Sequence, residues 1–94
     1  MIIAVDFDGT IQLPDKSPNM AIVRVLKNHR RAGNKIILWT CREGERLKEA
    51  VKYCTGLGLK FDAINFNLPE AIKMMGHDSR KIYADIYIDD KAVK

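Results

Sequence analysis

The segment Ile2-Ile3-Ala4-Val5-Asp6-Phe7-Asp8-Gly9-Thr10 decides the fold that we expect for this chain. Its first part, Ile2–Phe7, is almost entirely apolar and β-branched, which indicates a strand buried on both faces. Asp8-Gly9-Thr10 then ends the strand with polar and turn-forming residues. Strands buried on both faces are typical of parallel sheets covered by helices, so the segment predicts an interior strand of an α/β domain.

The rest of the chain alternates between strand and helix patterns. Three further strands are predicted, at Lys35–Thr40, Phe61–Phe66 and Ala84–Ile88. Because parallel strands need crossover connections, this alternation predicts an open parallel sheet with right-handed crossovers. The expected fold class is α/β, a Rossmann-like three-layer sandwich with a small open parallel sheet in strand order 3-2-1-4. Residues 1–94 are predicted to form a single domain.

Three segments predict the helices between these strands. The first helix is expected to begin with Ser17 as N-cap and Pro18 in the first helical position, and to stop at Gly33. The second helix is expected to begin near Glu43 and to be closed by Gly56 and Gly58. A short third helix is predicted over Pro69–Met75 and ends at Gly76.

Composition excludes several classes of protein. The chain has 94 residues, of which 47% are hydrophobic, so it is too apolar to be disordered, and it contains no apolar run of the roughly 20 residues that a membrane span needs. No signal peptide follows Met1, so a cytoplasmic location is expected. Cys41 and Cys54 are expected to be reduced thiols. The net charge of +4 fits an anionic partner, such as a phosphate ester or a nucleic acid.

Polar residues follow three of the predicted strands where each strand ends. Asp6 and Asp8 follow the first strand, Thr40 the second, and Asp89 and Asp90 the fourth. Ligands of open parallel sheets bind beyond the carboxyl ends of the strands, so these groups are expected to converge. Carboxylates this close repel each other unless a cation lies between them, and Mg²⁺ suits a site with few protein oxygens. The alternative is that Asp6 and Asp89 only cap adjacent helices or turns.

The same residues resemble the motifs of the haloacid dehalogenase-like (HAD) phosphohydrolases. Asp6-Phe7-Asp8-Gly9-Thr10 after a buried strand resembles the first motif of that family, and Thr40 the second. Lys81 is similar to the lysine of the third motif, and Asp89-Asp90 to the acidic fourth motif. The resemblance covers Ile2–Lys91, and it implies a Mg²⁺-dependent phosphomonoesterase that works through an aspartyl-phosphate intermediate.

The resemblance assigns a catalytic role to four residues. Asp6 would be the nucleophile, and Asp8 the general acid and base. Thr40 would donate its hydroxyl to the phosphoryl group, and Lys81 would neutralise the charge on that group, with Lys73 as the alternative lysine. The resemblance implies that the backbone carbonyl of Asp8, and not its carboxylate, binds the metal. Direct metal ligation should therefore not hold the pKa of the Asp8 carboxyl group low.

The metal ligands are expected to be Asp6, Asp8, Asp89 and Asp90, although Asp90 could instead orient Lys81. Substrate contacts are expected from Gly9, Thr10, Cys41 and Arg42, with the amides after Asp6 directed at phosphate oxygens. Two of these residues have alternative interpretations. Arg42 could form a surface ion pair with Glu43 or Glu45, and Cys41 could be a small packed residue. The neighbouring Trp39 is also interpreted as a packing residue.

HAD enzymes usually carry a cap domain over the site, and this chain has no segment for one. Only Ile11–Met20 separates the first motif from its helix, and Asn65–Arg80 holds one short helix. We therefore expect a capless protein with an open site, suited to a large or lid-supplying substrate such as a phosphorylated protein or a nucleic-acid end. The fourth strand is expected to be a bare edge, which indicates a homo-oligomer, a natural minimal form or a truncated chain.

Two other functions compete with a phosphatase. One is a HAD-like phosphate- or metal-binding module with little or no turnover. The other is a receiver-type signalling domain, but its phospho-accepting aspartate would follow the third strand, whereas Asp62 lies at the beginning of that strand. A nucleotide kinase is disfavoured because no G-x-x-x-x-G-K-[ST] loop is present.

Overall fold

The computed structural model of the chain describes residues 1–76 and 82–90. It contains a four-stranded parallel sheet in the order β3-β2-β1-β4, which confirms the predicted fold class and strand order. The strands are β1 (Ile2–Val5), β2 (Lys35–Leu38), β3 (Ala63–Ile64) and β4 (Ile86–Ile88). The helices are α1 (Met20–Arg31), α2 (Gly44–Gly56) and α3 (Pro69–Met75).

The sheet is covered on both faces, because its strands are apolar on both sides. On one face, Ile3 and Val5 of β1 belong to a cluster with Leu26 of α1 and Cys54 of α2. On the other face, Ile2 and Ala4 of β1 and Ile37 of β2 pack with Leu68 and Ala71, the latter from α3. Two helices on one side and a single short helix on the other make the three layers of the sandwich.

Both edge strands begin later than predicted, because an aspartate precedes each of them and its side chain binds the neighbouring strand. The Asp62 carboxylate accepts a hydrogen bond from the Ile36 amide (2.8 Å), and the Asp85 carboxylate accepts one from the Ile2 amide (2.7 Å). Each side chain satisfies an N–H group that a longer strand would otherwise bind. The ladder therefore begins only after these residues, at Ala63 and Ile86.

The first helix begins later than predicted, and Asn19 rather than Ser17 is its N-cap. The Asn19 side chain accepts a hydrogen bond from the Ile22 amide, as a cap residue should. Ser17 is held in a preceding turn, where its amide and its hydroxyl both donate to Asp15 Oδ1. Asp15 therefore holds Ser17 in this turn, and the serine that was predicted as the N-cap does not cap the helix.

The other helix boundaries agree with the sequence. The second helix follows Glu43, and the third ends at Gly76, whose φ of 80° is the left-handed conformation that favours glycine at a helix end. Within residues 1–76 and 82–90, no helix is long and apolar enough to cross a membrane.

Candidate functional site

A cavity of about 180 Å³ opens at the carboxyl ends of β1, β2 and β4. The strand order places the ends of these three strands side by side, so residues far apart in the sequence share one space. The structure therefore brings together the acidic residues and the threonine that the sequence places after these strands. The lining residues are Asp6, Trp39, Thr40, Cys41, Asp89 and Asp90.

Asp6 lies at the centre of the site and carries a poorly compensated charge. Its amide donates to the Ile88 carbonyl (2.9 Å), which ties the end of β1 to β4, and its Oδ1 accepts a hydrogen bond from the Phe7 amide (2.8 Å). Partial burial raises the pKa of Asp6, and the negative charges of Asp8, Asp90 and Asp89 raise it further, against the opposing Phe7 N–H. A cation beside this carboxylate would relieve both effects.

Asp8 is not among the residues that line the cavity, and its carboxylate is paired with Arg42. Arg42 Nε donates to Asp8 Oδ2 (2.9 Å) and Nη2 donates to Oδ1 (2.8 Å), while the guanidinium lies 4.8 Å from the centre of the Phe7 ring. These hydrogen bonds and the positive charge lower the pKa of Asp8. The expected ion pair of Arg42 with Glu43 or Glu45 is wrong, because the partner of this arginine is Asp8.

Thr40 is held so that its hydroxyl proton stays available. Its amide donates to Asn65 Oδ1 (2.8 Å), and its Oγ1 accepts a hydrogen bond from the Arg42 amide (3.2 Å). An oxygen that accepts from one side can donate its proton to another acceptor, such as a phosphoryl oxygen. Asn65 was not among the predicted site residues, because it lay inside the predicted third strand, whereas β3 ends at Ile64 and leaves Asn65 directly after it.

Gly9 makes the close approach between the first loop and Asp90 possible. Its φ is +78°, and a Cβ on this residue would lie 3.1 Å from Asp90 Cβ, so both the conformation and the space favour glycine. The amides of Phe7, Gly9 and Thr10 donate to Asp6 Oδ1, the Gln12 carbonyl and the Phe7 carbonyl. For these three amides the expected direction toward a phosphate group is wrong, since they already bind atoms of the chain, and for the Asp8 amide it stays a prediction.

Thr10 is also turned inward. Its side chain is buried, and its Oγ1 has no hydrogen-bond partner within residues 1–76 and 82–90. Neither Gly9 nor Thr10 is among the residues that line the cavity, so their substrate contacts stay predictions.

Cys41 was predicted to contact substrate, with packing as the alternative, and Trp39 was interpreted as a packing residue. The structure places both on the cavity wall, against the packing interpretation. Cys41 is exposed, and Trp39 is 43% exposed, because β2 ends at Leu38 and both residues lie beyond it on the cavity wall. The predicted substrate-binding position of Cys41 is thus beside the acidic residues. Lys81 lies outside the described residues, so its catalytic role stays a prediction. Lys73, the alternative lysine, is exposed on α3.

The donor atoms at this cavity fit a hard divalent cation. They are carboxylate oxygens, which Mg²⁺ prefers, and the carboxylate of Asp6 is destabilised by the charges around it. No three histidine, cysteine, aspartate or glutamate side chains are grouped as a metal cage in the part of the chain that the structure describes. A site that relies on two carboxylates, water and substrate oxygens is a usual form for Mg²⁺, which retains several waters.

A larger cavity, of about 370 Å³, lies at the opposite end of the sheet. Its wall includes Lys35 and Glu70, which form an exposed ion pair (3.0 Å), and the apolar side chain of Met74. Its carboxylates are Glu70, in that ion pair, and Asp85, whose pKa is lowered by the hydrogen bond from the Ile2 amide, so size alone does not identify the functional site. The smaller cavity is the one lined by three aspartates and a threonine at the carboxyl ends of the strands.

Comparison with known proteins identifies one similar structure. The chain is 43% identical to a conserved protein coded by a locus of Bacteroides thetaiotaomicron, with a TM-score of 0.79, and the match covers 98% of this chain and 77% of that one. No family model matches the sequence, and no curated protein matches it significantly. This identity over nearly the whole chain means that the protein belongs to the same family as the conserved Bacteroides thetaiotaomicron protein.

Proposed function

We propose that this protein is a Mg²⁺-dependent phosphomonoesterase of the HAD-like type, which works through a phosphorylated Asp6. The observation that carries the proposal is the shared cavity of Asp6, Thr40, Asp89 and Asp90 at the carboxyl ends of three strands. Convergent polar groups in this position of an open parallel sheet are typical of a catalytic site.

The first step of the proposed reaction is the transfer of the phosphoryl group to Asp6. A carboxylate oxygen of Asp6 attacks phosphorus, and the bond from phosphorus to the ester oxygen breaks. The leaving oxygen takes a proton from Asp8, while the Thr40 hydroxyl donates a hydrogen bond to a phosphoryl oxygen. The raised pKa of Asp6 reflects a carboxylate whose charge is poorly stabilised, which favours a nucleophile over a passive surface group.

The second step releases phosphate and restores the protein. Asp8 takes a proton from water, the oxygen of that water attacks phosphorus, and the bond from phosphorus to Asp6 breaks. Asp6, Asp89 and the backbone carbonyl of Asp8 would hold Mg²⁺, with Asp90 acting through water. The bound ion would supply positive charge to balance the carboxylates and the phosphoryl oxygens.

The sharpest test is to trap the phosphorylated aspartate. With an aryl phosphate and Mg²⁺, the wild-type protein should release phosphate, and chelation or Asp6→Asn should abolish the release. Asp8→Asn should accumulate a species heavier by one PO₃ group, because the second step lacks its base, and peptide mass spectrometry should locate this group on Asp6. The matched control is Asp15→Asn, in an exposed turn, which should keep the wild-type rate. Absence of phosphate release over a broad substrate panel contradicts the proposal.

The Arg42–Asp8 ion pair favours a second candidate, a phosphate- or metal-binding module with little turnover. A carboxylate held ionised by a bidentate arginine is a poor proton donor. This candidate predicts thermal stabilisation by Mg²⁺ together with no phosphate release. The two measurements on one sample separate the two functions.

A further inference from the structure

Trp39 occupies an unusual position for a large apolar side chain. Alternation along the chain places it on the same sheet face as Ile37, where Ala71 of α3 packs with the cluster that contains Ile37, but Trp39 lies beyond the end of β2 at Leu38. The Trp39 side chain is consequently 43% exposed and forms part of the wall around Asp6. An indole left this exposed beside reactive groups is available to a ligand.

The orientation of the indole is fixed by Tyr87. The two ring centres are 6.1 Å apart and the ring planes are 74° from parallel, which is a favourable edge-to-face contact. Tyr87 is itself anchored, because its hydroxyl donates to the Ile82 carbonyl and accepts a hydrogen bond from the Ala84 amide (3.0 Å). A ligand that contacts Trp39 therefore meets a preorganised surface and loses little affinity to ordering of the protein.

Trp39 shares the cavity in which the phosphoryl group is proposed to bind. The cavity volume of about 180 Å³ leaves room for a phosphoryl group together with a cation. The leaving group must then extend along the wall, where Trp39 offers an aromatic surface and Asp89 and Asp90 disfavour further negative charge. A second exposed aromatic residue, Phe66, follows Asn65 in the sequence. The Asn65 side chain accepts the hydrogen bond from the Thr40 amide.

We propose that Trp39 is a specificity-determining residue that selects phosphate monoesters whose leaving group carries a flat, uncharged aromatic ring. This inference rests on the proposed phosphatase function for the position of the phosphoryl group. The ring lies against the indole while the phosphoryl group reaches Asp6 and Thr40. Two sources supply this chemistry: aryl phosphates, with the ring next to the phosphate, and nucleotides, with the ring beyond a sugar.

A pair of non-hydrolysable ligands tests the inference without catalysis. Phenylphosphonate and cyclohexylphosphonate are similar in size, but only the first carries a flat ring. With Mg²⁺ present, calorimetry should give phenylphosphonate an affinity about 2- to 12-fold higher in the wild type, which is the range expected for an aromatic contact. Trp39→Leu should remove this preference, and Trp39→Phe should retain part of it, once circular dichroism has confirmed that both variants are folded.

Intrinsic fluorescence gives a direct readout, since Trp39 is the only tryptophan of the chain. Phenylphosphonate should change the indole emission, and cyclohexylphosphonate should change it less. The nucleotide source is tested by kcat/KM for adenosine 5′-monophosphate against ribose 5-phosphate, which share the same ester bond. A preference confined to this pair supports nucleotides, and a preference confined to the phosphonates supports aryl esters.

The outcomes separate this inference from the function on which it rests. Phosphate release with no preference for rings in either pair overturns the role of Trp39 and leaves the phosphatase proposal intact. A ring preference in binding without any hydrolysis supports the role of Trp39 and contradicts the phosphatase. Failure of both phosphonates to bind, together with no ring preference in kcat/KM, overturns the inference.

Discussion

Arg42 and Asp8 form a bidentate ion pair at the edge of the candidate site, with distances of 2.9 Å from Nε to Oδ2 and 2.8 Å from Nη2 to Oδ1. The Asp8 carboxylate is half exposed, but Arg42 is mostly buried against Phe7, so the pair is more firmly held than two mobile surface side chains. The residue that the proposed reaction needs as a proton donor is thus held in its ionised form before substrate binds.

Replacement of Arg42 should therefore move the pH dependence of the reaction. In Arg42→Met the hydrogen bonds and the positive charge are lost, so the pKa of Asp8 rises and the protonated form persists to higher pH. The alkaline limb of the kcat/KM profile that reports this acid should shift to higher pH. The control is Arg30→Met, which breaks the Arg30–Asp62 ion pair elsewhere and should leave the profile in place. An unshifted limb in Arg42→Met argues against Asp8 as the acid.

Gly9 should be far less replaceable than another glycine of similar conformation. Gly9→Ala introduces a left-handed alanine and a methyl group 3.1 Å from Asp90 Cβ, so we expect a loss of about 2 kcal/mol in unfolding free energy and a weakened response to Mg²⁺. Gly33→Ala has nearly the same φ, +86°, but no atom within 4 Å, so only the backbone cost of about 1 kcal/mol should appear. Chemical denaturation and Mg²⁺-dependent thermal shifts measure both effects. Equal losses of the Mg²⁺ response would rule out a specific role for the Gly9–Asp90 approach.

The two cysteines should differ sharply in reactivity. Cys41 is exposed on the cavity wall, whereas Cys54 is buried, and this burial raises the pKa of its thiol to about 12. Iodoacetamide should label Cys41 alone in the native protein at neutral pH, and both cysteines in denaturant. Mg²⁺ with orthovanadate should slow the labelling of Cys41. If these ligands leave the rate unchanged, the cavity is not where phosphate binds.

Asp85 should contribute acid-sensitive stability. Its carboxylate accepts a hydrogen bond from the Ile2 amide at the start of β1, and this bond, with a smaller contribution from the Tyr83 hydroxyl, lowers the pKa of Asp85. A lowered pKa stabilises the folded protein above the ordinary carboxyl pKa of about 4, and this contribution is lost as the pH falls below that value. Asp85→Asn should cost roughly 1 kcal/mol or less at neutral pH, because the group is exposed to solvent.

The difference in unfolding free energy between Asp85→Asn and the wild type should become smaller in denaturation curves recorded at progressively lower pH. Glu45→Gln is the control, since Glu45 forms only an exposed i,i+3 pair with Lys48 (3.2 Å) and should change stability little at any pH. A gap between Asp85→Asn and the wild type that stays constant down to acid pH would contradict the linkage.

The sequence predicted those features that depend on local burial. Apolar runs such as Ile2–Val5 can only be buried in a covered sheet, and this requirement, with the polar residues at the strand ends, predicted both the strand order and the convergence of Asp6 with Asp89. The sequence did not predict features in which two groups compete for the same hydrogen-bond partner. Ser17 has the residue type of a helix cap, but its hydroxyl donates to Asp15 instead.

Long-range partners were missed for a similar reason. The Arg42–Asp8 pair joins two loops that sequence spacing cannot relate, whereas Glu43 and Glu45 are visible neighbours of Arg42 in the sequence. Trp39 follows an apolar run, which predicts burial, but β2 ends at Leu38 and Trp39 is exposed beyond it.

Because β4 pairs with β1 while all other elements intervene between them in the chain, the acidic cluster is a product of late assembly. During translation, Asp6 leaves the ribosome long before Asp89, and the nascent polypeptide has no means of capturing a divalent ion through both of them. The proposed metal binding would therefore report completion of the sheet, and a nascent chain arrested ahead of Ile86 should show none.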